Sequence, residues 1–248
     1  MINSKELSYK YDVSGEIHEH DFIYEFIKNQ PGFPKAEDAI RHYFSNGNNS
    51  AEKLKAILSA DLGININENR SFLEFASGYG CVTRHLLKKL PEFEFAASDI
   101  HPEANQFLEK ISGCKTVQSH KVPEEYPTHT YDIVFALSFF SHMPRTTWSR
   151  WLQTLVNRLN INGFLIFTTH GLASHKMMNS PILEDDGFWF QNNSEQSDLE
   201  TTDYGTTITS PLFVLNEIHK IKDCKIRLLK TEHWWTHQDL YAVQKISL

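Results

Sequence analysis

The chain has 248 residues, 40% hydrophobic and 22% charged, enough for one large globular domain or a domain with a cap. A net charge of −7 counts against a protein built chiefly to grip nucleic-acid backbone. Cys81, Cys114 and Cys224 form no CxxC pair and are odd in number, so neither a disulfide framework nor a thiolate zinc site is expected, and a reducing cytoplasm is the simplest home.

The opening residues, MINSKELSYKYD, are polar and lack an apolar signal core. The richest apolar run, 133–140, is too short to cross a bilayer. Residues 1 to about 35 mix polar and aromatic side chains until Pro31-Gly32 and Pro34 break the chain. Two helices are expected at 36–44 and 50–62. In the second, Ala51, Leu54, Ile57 and Leu58 recur at helical spacing, with Ser50 as N-cap and Gly63 as the stop. Residues 1–50 thus read as an N-terminal helical cap and 51–248 as the core domain.

From Phe72 onward, apolar runs alternate with helical patterns. Strands are expected at 71–76, 94–98, 115–118, 131–137 and 163–168, and helices at 82–90, 102–111 and 146–159. Short, near-continuous apolar strands suit a parallel sheet covered on both faces, so the alternation predicts an α/β, doubly wound, Rossmann-like fold. The tail strands, 226–232 and 239–245, have six residues between them. That is too few for a parallel crossover, so they should pair antiparallel. Residues 171–210 form the least regular stretch. It is too long for a plain connection and reads as a lid-like insert or substrate loop.

The stretch FLEFASGYGCVTRHL carries the chemistry. A strand ends in an acid, Glu74, then comes a small-residue turn from Ala76 to Gly80, then a helix. Ligands of open parallel sheets sit beyond the carboxyl ends of the strands. Gly78 and Gly80 let backbone N–H groups approach a ligand with no Cβ in the way. A dinucleotide turn wants GxGxxG, but Thr83 holds the third position; a P-loop is absent. Glu74 would repel a pyrophosphate and suit a cation. Asp99 ends the second strand 19 residues beyond Gly80, where a carboxylate accepts hydrogen bonds from ribose hydroxyls. A nucleoside with a cationic group and no phosphate describes S-adenosylmethionine.

LEFASGYG resembles the [DE]xGxGxG motif of class I S-adenosylmethionine-dependent methyltransferases, with Ala76 in place of the first glycine. SDIHPEA resembles the ribose-binding motif, YDIVFALSFFSHMP the fourth-strand motif, and LNINGFLIFTTHG the helix-turn-strand that leads into the fifth strand. The tail resembles the antiparallel end of that fold. YFSNGNNSAEKL and HQDLYAVQK resemble features of a bacterial subgroup acting on glycans or small metabolites.

The resemblance implies a methyltransferase with S-adenosylmethionine as cofactor and S-adenosylhomocysteine as product, acting on a small-molecule or glycan acceptor, with no nucleic-acid or membrane partner. The implied cofactor residues are Glu74, Phe75, Ala76, Ser77, Gly78, Gly80, Asp99 and Ile100, then Gln118 and Ser119 for adenine, and Leu137 and Ser138 for the methionine portion.

Catalytic candidates are His170, ending the fifth strand, and His142. Tyr204 and Phe139 are candidate substrate contacts. Each has a plainer reading: Asp99 as a helix cap, Phe139 as core, His142 as a loop-ordering residue. His18 and His20 form HxH and His233 and His237 stand four apart, but no carboxylate–histidine constellation sits near either in sequence, so no metal site is expected. A non-catalytic cofactor-binding protein would share every binding motif. A nicotinamide-dependent oxidoreductase fits less well, because of Glu74 and the missing glycine.

Overall fold

The computed structural model describes residues 2–193, 196 and 198–247. The chain divides into two compact units, Met1–Ser119 and His120–Leu248.

The first unit begins with three helices, α1 (Lys5–Tyr11), α2 (Phe22–Lys28) and α3 (Ala36–Ala56). The Ser4 hydroxyl caps α1 by accepting from the Leu7 N–H, and the Asp21 carboxylate caps α2 through Tyr24. Where two helices were expected, with a break before Ser50, α3 runs unbroken and closes in one wider turn, Ile57–Asp61. Tertiary packing overrides the weak helix formers Asn46 to Asn49. Tyr43, Phe44, Ala51 and Leu54 are fully buried along one face. A Cβ on Gly47 would stand 2.0 Å from the Cys81 carbonyl, so glycine is what lets this face close on the start of the next helix.

The strand–helix alternation follows: β1 (Ser71–Phe75), α4 (Thr83–Lys89), β2 (Glu94–Asp99), α5 (Pro102–Ser112) and β3 (Lys115–Gln118). β2 lies between β1 and β3, parallel to both, with Phe75 opposite Ser98 and Asp99 opposite Gln118. Arg84 on α4 is buried and ties the unit together. Its guanidinium donates to the carbonyls of Ser14 and Glu16 and to those of Tyr79 and Gly80 in the turn after β1.

The second unit holds β4 (Tyr131–Ala136), α6 (Arg145–Asn157), β5 (Leu159–His170), α7 (Leu172–Met177), β6 (Phe188–Gln191), β7 (Thr206–Thr209), α8 (Pro211–His219), β8 (Cys224–Trp234) and β9 (Gln238–Lys245). β4 and β5 are parallel, and β9 sits between β5 and β8, antiparallel to both. Among the described residues, the first unit contributes three parallel strands and the second a sheet of four. The strands are mostly parallel with helices between them and the last strand is reversed, the Rossmann-like class expected.

The 171–210 stretch is more ordered than its composition suggests. It contains α7 and an antiparallel pair, β6 and β7, in which Phe188 faces Thr209. Residues 194, 195 and 197 of that stretch lie outside the described residues. Just after it, Pro211 at the first turn and the Ser210 cap start α8, a helix the apolar pattern did not announce. Among the described residues, no helix is long and apolar enough to cross a membrane.

Candidate active site

In the first unit the site is built on the turn after β1. Ala76, Gly78 and Gly80 all have positive φ, at 57°, 55° and 81°. Ala76 therefore adopts the left-handed conformation itself, at a cost of about 1–2 kcal/mol for an L-residue. A Cβ on Gly80 would strike Leu108, whereas one on Gly78 would have no atom within 4 Å. Gly78 thus faces open space, with backbone bare for a ligand. The Ser77 N–H donates to the Ser98 carbonyl at 3.0 Å, fixing the turn against β2.

Glu74 is 3% exposed, and its Oε2 has no hydrogen-bond partner. Burial pushes its carboxyl up to about 8; the Thr83 hydroxyl opposes that shift and the charge of Asp99 adds to it. A buried carboxyl with an idle oxygen is costly unless something fills the place.

Asp99 is buried and well occupied. Its Oδ2 accepts the Gly78 N–H at 2.8 Å, and its Oδ1 accepts the His101 N–H at 2.9 Å and faces His101 Nδ1 at 2.8 Å. A carboxylate offers about four acceptor positions. Three are filled, so two ribose hydroxyls fit only if the His101 ring gives up its place. Asp99 does not cap α5, whose N-cap is His101. Asn105 grips the backbone of Asp99 from α5, its Oδ1 accepting the Asp99 N–H and its Nδ2 donating to the Asp99 carbonyl. Gln118 is exposed, and its amide donates to the Ile100 carbonyl at 2.8 Å; Ser119 is buried beside it in sequence. Ile100 is half-buried and Phe75 is core.

In the second unit the ends of β4, β5 and β9 meet. Ser138 has φ of 59°. Its N–H donates to Thr168 Oγ1 at 2.8 Å, Thr168 donates to Gln238 Oε1 at 2.6 Å, and Gln238 Nε2 donates to Ser138 Oγ at 2.8 Å. This closed ring of bonds holds the strained residue after Leu137, and Gln238 was not singled out from the sequence. Its only signal there was its place at the start of the tail strand. Phe139 is buried against Phe140 and Trp151, as the core reading has it.

His142 Nδ1 lies 2.8 Å from the Gly205 carbonyl, and its ring stacks on Tyr204 at 4.4 Å. That bond places the ring proton on Nδ1 in the neutral form. Burial pushes the His142 pKa down to about 4. The His170 ring stands 6.1 Å from that of His142 and 5.9 Å from that of His237. It is buried, with Nδ1 unpartnered, and burial pushes its pKa down to about 3, with His142 and His237 adding to the shift. The three histidines and Tyr204 make one cluster of rings.

Residues 73–165 match the family model described as a methyltransferase domain. That stretch, from β1 into β5, is similar to a methyltransferase domain. Solved structures share the fold of this chain at low identity. A S-adenosylmethionine-dependent methyltransferase from Clostridium acetobutylicum aligns with a TM-score of 0.58 at 12% identity, over 82% of this chain and 92% of that one. A 1,6-didemethyltoxoflavin-N1-methyltransferase from Burkholderia thailandensis, solved with that substrate and S-adenosylhomocysteine, aligns at 0.55 and 12%, over 95% and 94%. DhpI in complex with S-adenosylhomocysteine aligns at 0.54 and 13%, over 93% and 100%. A search of curated proteins found no match.

The first-unit residues fit S-adenosylmethionine. The idle oxygen of Glu74 suits an ammonium or sulfonium neighbour, the open face of Gly78 admits a ligand against bare backbone, and Asp99 ends β2 with an acceptor.

Proposed function

We propose that the protein transfers a methyl group to a small-molecule acceptor. The observation that carries this reading is the buried, half-partnered Glu74 beside the open face of Gly78. Bound S-adenosylmethionine supplies an electrophilic methyl group. The chain's task is then to align, to exclude water and to receive a proton. Glu74 and the turn Ala76–Gly80 hold the charged portion, Asp99 the ribose, and Ile100, Gln118 and Ser119 the adenine; Leu137 and Ser138 are assigned to the methionine portion.

On the acceptor side, His170 Nδ1 is the group that accepts a hydrogen bond or a proton from the acceptor's O–H or N–H. His142 and Tyr204 shape the wall beside it. A glycan acceptor is the narrower alternative.

Calorimetry with S-adenosylmethionine, S-adenosylhomocysteine and NAD tests the cofactor. Micromolar binding of the first two and none of NAD is expected; NAD binding alone would overturn the reading. Asp99→Ala should weaken cofactor binding by roughly tenfold to a thousandfold, since two charge-assisted bonds of about 1.5–3 kcal/mol are at stake. Unchanged affinity would reduce Asp99 to a brace for Gly78 and His101. Transfer of labelled methyl groups to a small-molecule extract separates an enzyme from a binding protein.

A further inference from the structure

In the first unit the HxH stretch before α2 meets the start of α5. His20 Nδ1 lies 2.9 Å from Glu103 Oε2, and His18 Nε2 lies 3.6 Å from Glu103 Oε1. The ligand atoms these three residues can offer all lie within 4.8 Å of one another. We propose that His18, His20 and Glu103 form a binding site for a divalent transition-metal ion, with Zn²⁺ as the best fit.

The spacing supports this. Tetrahedral zinc with bonds of about 2.0–2.1 Å places neighbouring ligand atoms about 3.3 Å apart. The two separations, 2.9 Å to one carboxylate oxygen and 3.6 Å to the other, lie on either side of that value, and a modest rotation of the exposed Glu103 and His20 side chains would draw the three ligand atoms from within 4.8 Å onto one ion. Two imidazoles and one carboxylate suit zinc and its neighbours, whereas magnesium and calcium want oxygen throughout.

The site is also held from behind. The His18 ring stacks on Tyr79 with centroids 4.7 Å apart and meets the edge of Phe107 at 5.0 Å. The Tyr79 hydroxyl donates to Glu103 Oε2 at 3.2 Å. Orienting partners of this kind fix ring and carboxylate before the ion arrives. His20 and Glu103 are more than half exposed, which gives the ion an entry path and leaves a coordination position to water.

One bond opposes it. His18 Nδ1 accepts the His20 N–H at 3.2 Å, so the neutral ring carries its proton on Nε2. Coordination at Nε2 needs the other tautomer and forfeits that bond, so micromolar rather than nanomolar affinity is expected. Glu103 lies 83 positions from His20, which is why the sequence concealed the carboxylate. An ion here would clip residues 18–20 to α5 and to Tyr79 inside the glycine turn.

The test is calorimetry of the tag-free protein with zinc chloride and, separately, magnesium chloride. One Zn²⁺ per chain with micromolar Kd and no response to magnesium is expected. His20→Ala and Glu103→Gln, both at exposed positions, should each weaken zinc binding at least tenfold with the circular dichroism spectrum unchanged. Absence of zinc binding overturns the proposal. So does affinity unchanged from the parent in both variants, which would place the ion on other histidines.

Discussion

Glu74 shows how a buried carboxyl with an unpartnered oxygen is a liability to the fold. In the unfolded chain its carboxyl ionises near the usual 4.5; in the fold it holds its proton up to about 8. Between those values the folded state binds the extra proton, so this residue's contribution to stability falls as pH rises, by about 1.4 kcal/mol per pH unit. The full penalty above pH 8 is on the order of 4 kcal/mol. Glu74→Gln removes it. Denaturant unfolding at pH 5 and pH 8 should show the variant gaining at least about 2 kcal/mol on the parent across that range, while cofactor affinity drops. Parallel pH curves for the two proteins would mean that Glu74 is ionised in the fold. His170 carries the opposite signature. With its pKa near 3, it stays neutral throughout the working range, so turnover should show no inflection near 6.5 on the acid side. His170→Ala should cut turnover by about 10²–10⁴ and leave cofactor affinity nearly intact. An acid limb centred near 6.5 that survives in His170→Ala would assign the proton to another group.

At the scale of elements, Arg84 binds the N-terminal segment to the glycine turn. Arg84→Met would take the guanidinium donors from four carbonyls, those of buried Tyr79 and Gly80 and half-buried Ser14 and Glu16, and a loss of about 2–4 kcal/mol in urea unfolding is expected. Weaker cofactor binding should accompany it, because Tyr79 and Gly80 lose their anchor; an unshifted urea midpoint would show that water replaces the guanidinium. Nothing in RHLLKK marks this arginine as buried, since a basic residue on a helix reads as solvent-facing. The strands were legible because parallel strands are written as bare apolar runs, and β1 to β4 fall within a residue or so of their expected ends. The glycine turn after β1 was legible because its signals are local, an acid and glycines within a few positions. What was hidden depends on distance. The unbroken α3 rests on packing that its Asn-Gly-Asn-Asn segment does not reveal, and Gln238 stands 100 positions from Ser138. Glu103 reaches His18 and His20 only through the fold.

At the scale of the whole molecule, the 171–210 insert divides into anchored and unanchored parts. Gly205 and Thr207 donate through their backbone N–H groups to the carbonyls of His142 and Ser141, and the Thr207 hydroxyl donates to that of Met143. Hydrogen exchange should therefore find the amides of 205 and 207 slow without ligand. Residues 178–187, outside any helix or strand, should exchange fast and slow down when S-adenosylhomocysteine and acceptor are added. Fast exchange at 178–187 that ligands leave unchanged would exclude a lid there.

β9 lies between β5 and β8, although it follows both in the chain. During synthesis β5 is finished some seventy residues before its partner leaves the ribosome, and its N–H and C=O groups face an empty slot all that time. Such an open edge is a template for the wrong strand, so nascent chains are most prone to aggregate in this interval. The second unit's sheet closes only when residues 238–245 slide in between strands already made, which makes a short stretch near the end of the chain the gatekeeper of its folding.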